Sequence, residues 1–408
     1  MTPPAARPPG GPPRWAWWAV LAVALAARLA LVLVTPREIL WPDGSEFEAV
    51  ARSLLGHQGY GLQTLRPPGY PTFIALVYAL LGPGLIGLRI VEACVGTAAV
   101  GVIGLVGASL FGPLAGFVAM AIAAVHPVLA FLPSTQFSEN LLVFAVVLAL
   151  WAAFGAWRRG GLARWALAGA LFGVCTLIRP NVVLMLPGLG LGFALALRQQ
   201  RRAWLAPAAV CALALALTVT PWVVRNHHVH HRWYFVATGG GRQFWFGNNP
   251  AASGATASLM LPDSAMQAEI GRLPDDAARE RFLYRRGLSF VREHPGRAFQ
   301  LYLVKLGNLF ALFPQTCSRT AFLTPPSQAA QAAASLLVFL GVLLALRRLR
   351  RTPALWPMAG AIVSFALTNA VFFTVMRYRM AFEPCLLWMA GAGWVWTLGR
   401  GKGGEVNR

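Results

Sequence analysis

Charge is what this sequence has least of. Only 12% of its 408 residues are charged, where a soluble domain carries about 25%. With 57% hydrophobic residues, that shortage excludes an ordinary water-soluble domain and makes the chain an integral membrane protein. Acid is scarcer still, at 14 carboxylates in the whole chain. Lysine is nearly absent: Lys305 and Lys402 are the only two, so the net charge of +21 is almost entirely arginine. In a soluble protein such a balance points to nucleic acid. Here the arginines sit in short clusters between apolar runs, where they set topology instead, and no nucleic-acid partner is expected. Cysteine is sparse and scattered. Cys94, Cys175, Cys211 and Cys385 fall in apolar stretches and Cys317 in a loop. No CxxC or metal spacing appears, so they read as small core residues.

Long apolar segments are what the sequence has in quantity. The run Trp15–Val34 is about 20 residues long, enough to cross a bilayer and too long for a signal-peptide core. Residues 1–13 before it are proline-rich and expected to be disordered. Further apolar runs near 84–111, 114–131, 138–157, 164–178, 180–197, 204–224, 329–346, 354–375 and 380–398 predict an all-α polytopic membrane protein of about ten transmembrane helices. With the N terminus in the cytoplasm, the clusters Arg158/Arg159/Arg164, Arg198/Arg201/Arg202, Arg347/Arg348/Arg350/Arg351 and Arg400/Lys402/Arg408 all fall inside. Outside then lie 36–83, 132–137, the Arg179-Pro180 turn, 225–328 and the Arg377-Tyr378-Arg379 turn. Two apolar stretches stay out of the count. Tyr70–Leu81 is about a dozen residues, too short to span. Ala298–Phe313 carries Gln300, Lys305 and Asn308 and reads as an interfacial helix.

The chain divides accordingly. Residues 1–14 form a cytoplasmic N-terminus, 15–224 an N-terminal transmembrane module with the external loop 36–83, and 225–328 a small external loop region. Residues 329–398 form C-terminal transmembrane helices and 399–408 a cytoplasmic tail. Within 225–328 the expected elements are a strand-like Trp233–Thr238, a Gly239-Gly240-Gly241 turn and an amphipathic helix over Asp275–Arg292.

Polar residues concentrate in Trp41–Pro71, the first polar run after the first apolar segment. It holds Asp43, Glu46 and Glu48. Pro42 and Gly44 flank Asp43 and are expected to break the helix and expose the carboxylate, which could accept a proton from an attacking hydroxyl. The alternative is a cap: Asp43 or Ser45 could cap a helix over 46–55. Arg66 opens the stiff turn Arg66-Pro67-Pro68-Gly69-Tyr70-Pro71. Its guanidinium there suits a lipid phosphate or snorkels to the interface. Ser138-Glu139-Asn140 begins a span, and a carboxylate at membrane depth is either functional or a complement to the helix dipole. Arg89 and Glu92, three apart on one helix, are expected to pair with each other. Arg377-Tyr378-Arg379, followed by Glu383-Pro384, fits either a phosphate site or an interfacial anchor. The run His227-His228-Val229-His230-His231 has no carboxylate or cysteine at a regular spacing nearby, so it reads as a solvated loop start rather than a metal cluster.

Taken together, these motifs resemble a known family. Asp43, the helix Ala49–Leu55, Gly59-Tyr60 and Arg66–Pro71 resemble the first external loop of bacterial GT-C glycosyltransferases, relatives of protein O-mannosyltransferases and of the lipid A aminoarabinose transferase. Ser138-Glu139, Pro221-Trp222 with Arg225-Asn226, Gly247-Asn248-Asn249-Pro250 and Arg377-Tyr378-Arg379 with Glu383-Pro384 are similar to that family in the same order. The resemblance implies a GT-C-like bundle with short interfacial helices in the first external loop. It also implies a polyprenyl-phosphate sugar donor, transfer with inversion, and Asp43 as the catalytic residue. Many relatives carry a second acid directly after this Asp, where Gly44 stands here.

The expected activity is thus transfer of a sugar from a polyprenyl-phosphate donor to an acceptor hydroxyl at the outer face of the cytoplasmic membrane. Asp43 would act as general base. Arg66, Arg377 and Arg379 would stabilise the leaving phosphate, with Arg225 a weaker candidate, and Glu139 would position the acceptor or an arginine. Membrane lipids and an acceptor glycan, glycolipid or protein are the other expected partners. Some relatives use a divalent cation, but no ligand set is readable. The rival classes are a transporter or flippase of lipid-linked sugars and a non-catalytic membrane subunit. A transporter predicts polar groups within the spans and an inverted repeat, whereas these spans read as Ala, Leu, Val and Gly with charge at their external ends.

Overall fold

The computed structural model describes residues 11–61, 65–196, 204–254, 264–313 and 324–399. Arg198/Arg201/Arg202, Cys317 and the tail from residue 400 lie outside them, as do residues 1–10. Helix α1 (Arg14–Val34) runs the length of the first apolar segment and ends at extended Thr35, just before Pro36. Helix α2 (Pro42–Leu55) has proline at its first position, where the missing N–H costs no helical hydrogen bond. Helix α3 (Gly69–Leu81) packs on it, and Phe47, Ala51, Tyr70, Ile74, Tyr78 and Leu88 form a small core of their own. Helix α4 (Leu85–Phe111) follows. Helices α5 (Pro113–Val125) and α6 (Pro127–Phe131) together make one apolar segment bent by 57°. The bend falls where Pro127 cannot supply the N–H that would continue α5.

Helix α7 (Glu139–Arg159) runs back through the core, and α8 (Leu162–Ile178) ends at Arg179. Because Arg179 precedes Pro180, it is held extended, with φ −152° and ψ 106°. A 3₁₀ turn (Pro180–Met185) leads into α9 (Leu186–Ala196), then come α10 (Leu205–His230) and α11 (Gly240–Gly247). Next are α12 (Ser264–Gly271), α13 (Asp276–Glu293) and α14 (Pro295–Leu309). Helices α15 (Pro325–Leu346), α16 (Leu355–Asn369) and α17 (Glu383–Leu398) complete the chain, with a 3₁₀ turn (Met376–Ala381) between the last two. Glycines let the backbones touch. A Cβ on Gly169 of α8 would lie 2.1 Å from the Cys211 carbonyl oxygen of α10, and one on Gly188 of α9 would lie 1.9 Å from that of Gly360 in α16. Such close approach is how apolar helices gain packing energy where lipid offers no hydrophobic drive.

The protein is an all-helical, multi-pass membrane protein. Five helices (α1, α4, α7, α10 and α15) are long and apolar enough to cross a bilayer, and the bent pair α5–α6 makes six. The remaining expected spans fall on helices of 17 residues or fewer, so the count of about ten is not reproduced by length and composition. Four local expectations change. Trp233–Thr238 is irregular rather than a strand. The histidine run is the end of α10, not a loop start, with His227 stacked on Trp233. Arg89 does not pair with Glu92: it donates to the Pro36 and Glu38 carbonyls, while the Asn140 side chain donates to Glu92. The bundle interior also holds more ionisable groups than expected, since Arg28, Glu92, His126, Arg379 and Glu383 are all buried. The amphipathic helix over 275–292 is present as α13, with Asp275 capping it by accepting from the Ala278 N–H.

Candidate active site

Asp43 lies in the first turn of α2, inside the helix. Trp41 occupies the cap position, and its carbonyl accepts from the Gly44 and Ser45 N–H groups. The Pro42-Asp43-Gly44 triplet therefore does not break the helix, and Asp43 is not its cap. Gly44 is required where it stands: a Cβ there would meet the Ile39 side chain at 2.8 Å and Gln136 at 3.2 Å. That close seat brings the start of α2 against the segment that leads into α7, and it leaves no room for a second acid after Asp43.

Two guanidiniums from distant parts of the chain meet this carboxylate. Arg66 donates from Nη2 to Asp43 Oδ1 at 2.7 Å, and Arg377 from Nη2 to Oδ2 at 2.8 Å. Each also has another carboxylate beside its Nε, hydrogen-bonded in Arg66 and in charge contact only in Arg377. Arg66 Nε lies 2.6 Å from Glu46 Oε2, and Arg377 Nε lies 3.5 Å from Glu139 Oε1. Arg179 joins the same Glu139 oxygen at 2.6 Å. The result is an alternating chain of charge, Arg179–Glu139–Arg377–Asp43–Arg66–Glu46. Aromatic faces support it: Arg377 lies 4.3 Å from the Phe137 ring centroid, Arg179 4.6 Å from Tyr378 and Arg66 4.9 Å from Phe47. Glu139 is buried, whereas the Asp43 side chain keeps 28% exposure, enough for a ligand to reach it.

The electrostatics follow from the geometry. Burial pushes the Asp43 carboxyl up, but Arg377 and Arg66 outweigh it and hold the group well below the usual carboxylate range. Burial acts to lower the Arg377 and Arg66 guanidiniums, and their carboxylate partners reverse that. As it stands, the site is an ionised carboxylate gripped by two permanent cations. It can donate hydrogen bonds from the terminal nitrogens of both guanidiniums to a phosphate and can offer one carboxylate as a base.

Of the residues expected from sequence, Asp43, Arg66, Glu139 and Arg377 come together. Arg225 does not join them. It sits near the end of α10, over Trp222 at 4.8 Å, and donates to the Gly61 carbonyl at 2.7 Å. Arg379 faces the opposite way from Arg377 on the same 3₁₀ turn. It is fully buried, 2.7 Å from Glu383 Oε2, and also bonds the Ser335 hydroxyl and the Ala311 carbonyl. Arg179 and Glu46 belong to the cluster although sequence reasoning gave neither a site role. Arg179-Pro180 repeats the Arg66-Pro67 pattern, an arginine fixed by the proline after it at a helix end, and that repetition was the available signal. Among the described residues no group of three or more His, Cys, Asp or Glu side chains is placed to hold a metal ion.

Residues 65–224, less than half of the chain, match the family described as dolichyl-phosphate-mannose-protein mannosyltransferase. The match includes Arg66, Glu139 and Arg179 and leaves Asp43 and Arg377 outside it. No curated protein matches the sequence significantly. Among solved structures, the archaeal oligosaccharyltransferase AglB from Archaeoglobus fulgidus, in complex with an inhibitory peptide and a dolichol-phosphate, is similar with a TM-score of 0.54 and 14% identity over 97% of this chain. An oligosaccharyltransferase from the same organism, tethered to an acceptor peptide, gives a TM-score of 0.57 and 15% identity over 95% of this chain. This chain spans about half the length of each, covering 52% and 50% of the two chains. ArnT from Cupriavidus metallidurans bound to undecaprenyl phosphate gives a TM-score of 0.44 and 17% identity, covering 94% of this chain and 79% of ArnT, a level of likeness that carries no argument. The helical bundle thus has the fold of these oligosaccharyltransferases, and within it residues 65–224 match the mannosyltransferase family.

Proposed function

We propose that the protein is a GT-C glycosyltransferase that moves a sugar from a polyprenyl-phosphate donor to an acceptor hydroxyl, with inversion, at the outer face of the cytoplasmic membrane. One observation carries this reading: Asp43 sits between Arg66 and Arg377, a carboxylate base beside a two-arginine phosphate cradle. The acceptor hydroxyl attacks the anomeric carbon and Asp43 takes its proton. The bond to phosphate breaks with its electron pair on the phosphate oxygen, whose growing charge the two guanidiniums meet. Attack from the face opposite the departing phosphate gives inversion. Glu139, buried between Arg179 and Arg377, holds those arginines. Arg225 and Arg379 take no part in this scheme. The dolichol-phosphate bound to AglB, and the mannosyl transfer named for the matching family, agree with a lipid-linked donor. Sugar, acceptor and any cation are left to experiment.

The buried charges inside the bundle favour the transporter reading, because polar groups within spans are what a translocation path needs. Two of them are met locally, Arg379 by Glu383 and Arg28 by the Ala24 and Ala124 carbonyls. The cavity beside Arg28 and Asn140 has a volume of about 10 Å³, room for a single water and not for a sugar. Reconstituted protein supplied with polyprenyl-phosphate sugars should transfer sugar to envelope acceptors, with Asp43→Asn reduced by roughly two to four orders of magnitude at unchanged expression. Equal transfer by the variant would end Asp43's role as base. Transbilayer movement of the lipid-linked sugar by the wild type, with no transfer, would favour the flippase. In cells, mass spectrometry of envelope glycans with and without the protein identifies the acceptor.

A further inference from the structure

The contacts of Asp43 pose a problem for its role as a base. Both carboxylate oxygens are engaged by guanidiniums, Oδ1 by Arg66 and Oδ2 by Arg377. A carboxylate gripped in this way is a weak proton acceptor. The two arginines, however, are not held in the same way at both ends. Each presents a terminal nitrogen to Asp43 and turns its Nε toward a different acid: Arg66 hydrogen-bonds Glu46, and Arg377 lies 3.5 Å from Glu139 in a charge contact. The Nε contacts are tethers, and the terminal contacts are the ones a ligand can exchange. Glu139 is further tied by Arg179 at 2.6 Å, so the Arg377 tether is anchored from α8.

We propose that the donor's phosphate arms the base. It draws the terminal nitrogens of Arg66 and Arg377 off Asp43 while Glu46 and Glu139 keep both side chains in place, and the freed carboxylate then accepts the proton of the acceptor hydroxyl. Donor binding thereby precedes competence for transfer, and an acceptor arriving first meets an occupied carboxylate. This rests on the glycosyltransferase reading and adds the order of events to it. Arg66 from the turn before α3 and Arg377 from the 3₁₀ turn meet Asp43 directly; around those arginines lie Glu46 of α2, Glu139 of α7, Arg179 at the end of α8 and Tyr378. The two guanidiniums hold the Asp43 carboxyl below the usual carboxylate range, and its partial exposure leaves room for the exchange.

The test is binding of a methyl polyprenyl phosphate, a diester that neither gains nor loses a proton near neutral pH, to the full-length protein in detergent or nanodiscs, followed by calorimetry. If phosphate must displace Asp43 from the arginines, Asp43→Asn removes the competitor and binding tightens several-fold. The gain should vanish when Arg66→Gln and Arg377→Gln are also present, whereas simple repulsion between Asp43 and the anion would persist there. In the wild type alone, binding at pH 4 should take up roughly a few tenths of a proton as Asp43 returns toward an ordinary carboxylate. Weakened or unchanged affinity in Asp43→Asn, a gain that survives loss of both arginines, or binding without proton uptake each overturn the arming step and leave the glycosyltransferase reading intact. If wild type and variant both fail to bind the diester, the donor assignment falls and this inference with it.

Discussion

At the scale of single residues, Arg377 and Arg379 have different fates although one position separates them. Arg377 reaches Asp43 and Glu139, and Arg379 closes a buried ion pair with Glu383. Lysine at 377 keeps the charge but has a single nitrogen where the guanidinium uses two, so it cannot hold Glu139 and Asp43 or a phosphate at once. Arg377→Lys is expected to raise the apparent KM for donor about tenfold or more, measured with a polyprenyl-phosphate sugar. An unchanged value would make Arg377 an interfacial anchor only. Removing the Arg379 charge instead leaves Glu383 buried and unpaired, a loss of about 3–5 kcal/mol, so Arg379→Met should unfold at lower temperature whatever the substrate. Lys305 offers a pH test. Its ammonium is fully buried in α14, donating to the Gly247 and Val371 carbonyls and the Asn248 side chain. Burial pushes it down to about 8 from an ordinary 10.5. Between those values the unfolded chain binds the proton and the folded protein does not, so stability rises with pH through that window. The thermal midpoint of wild type relative to Lys305→Met should therefore rise between pH 8 and 10, and a flat difference would show that Lys305 does not titrate there.

At the scale of elements, glycine contacts and proline breaks decide how the helices meet. Gly188 and Gly360 put the α9 and α16 backbones in direct contact. Gly188→Val would push the two helices apart, at a cost of about 1–3 kcal/mol, read as a lower midpoint of thermal unfolding in detergent. A midpoint equal to wild type would mean that the pair separates freely in the folded protein. The site depends on element ends rather than element middles. Asp43 begins α2, Glu139 begins α7, Arg179 follows α8, and Arg66 and Arg377 lie in turns. Helix starts carry partial positive charge, which suits the two carboxylates. The turns are fixed by proline after Arg66 and Arg179.

For the whole molecule, the arginine asymmetry predicts an orientation. Residues 36–83 and 225–328 should be external and 347–353 cytoplasmic. Single cysteines placed in these segments and treated with a membrane-impermeant thiol reagent on intact cells test it. Labelling within 347–353 would reverse the orientation of α15 and restore Ala298–Phe313, most of which forms α14, as a span. Five long apolar helices, or six with the bent pair, cross by length alone. The shorter helices have to be placed by packing, which is why length and composition do not settle a count of ten.

The all-helical membrane fold, the five long helices and the likeness to GT-C enzymes were readable from the sequence because each rests on local quantities: apolar run length, arginine clusters and motif order. Asp43, Arg66, Glu139 and Arg377 could be named one by one for the same reason. Their assembly could not be read, because Asp43 and Arg377 are 334 positions apart and meet only once the bundle has closed. The separation of Arg377 from Arg379 was equally hidden, since it depends on which way a 3₁₀ turn faces. Arg89 and Glu92 show the limit of local rules: their spacing suits a pair, yet nearer partners on other elements took each of them. Tertiary structure decided which cation Asp43, Glu46 and Glu139 would hold, because in a chain with 14 acids and 35 basic residues most arginines have no acid to claim and geometry selects among them.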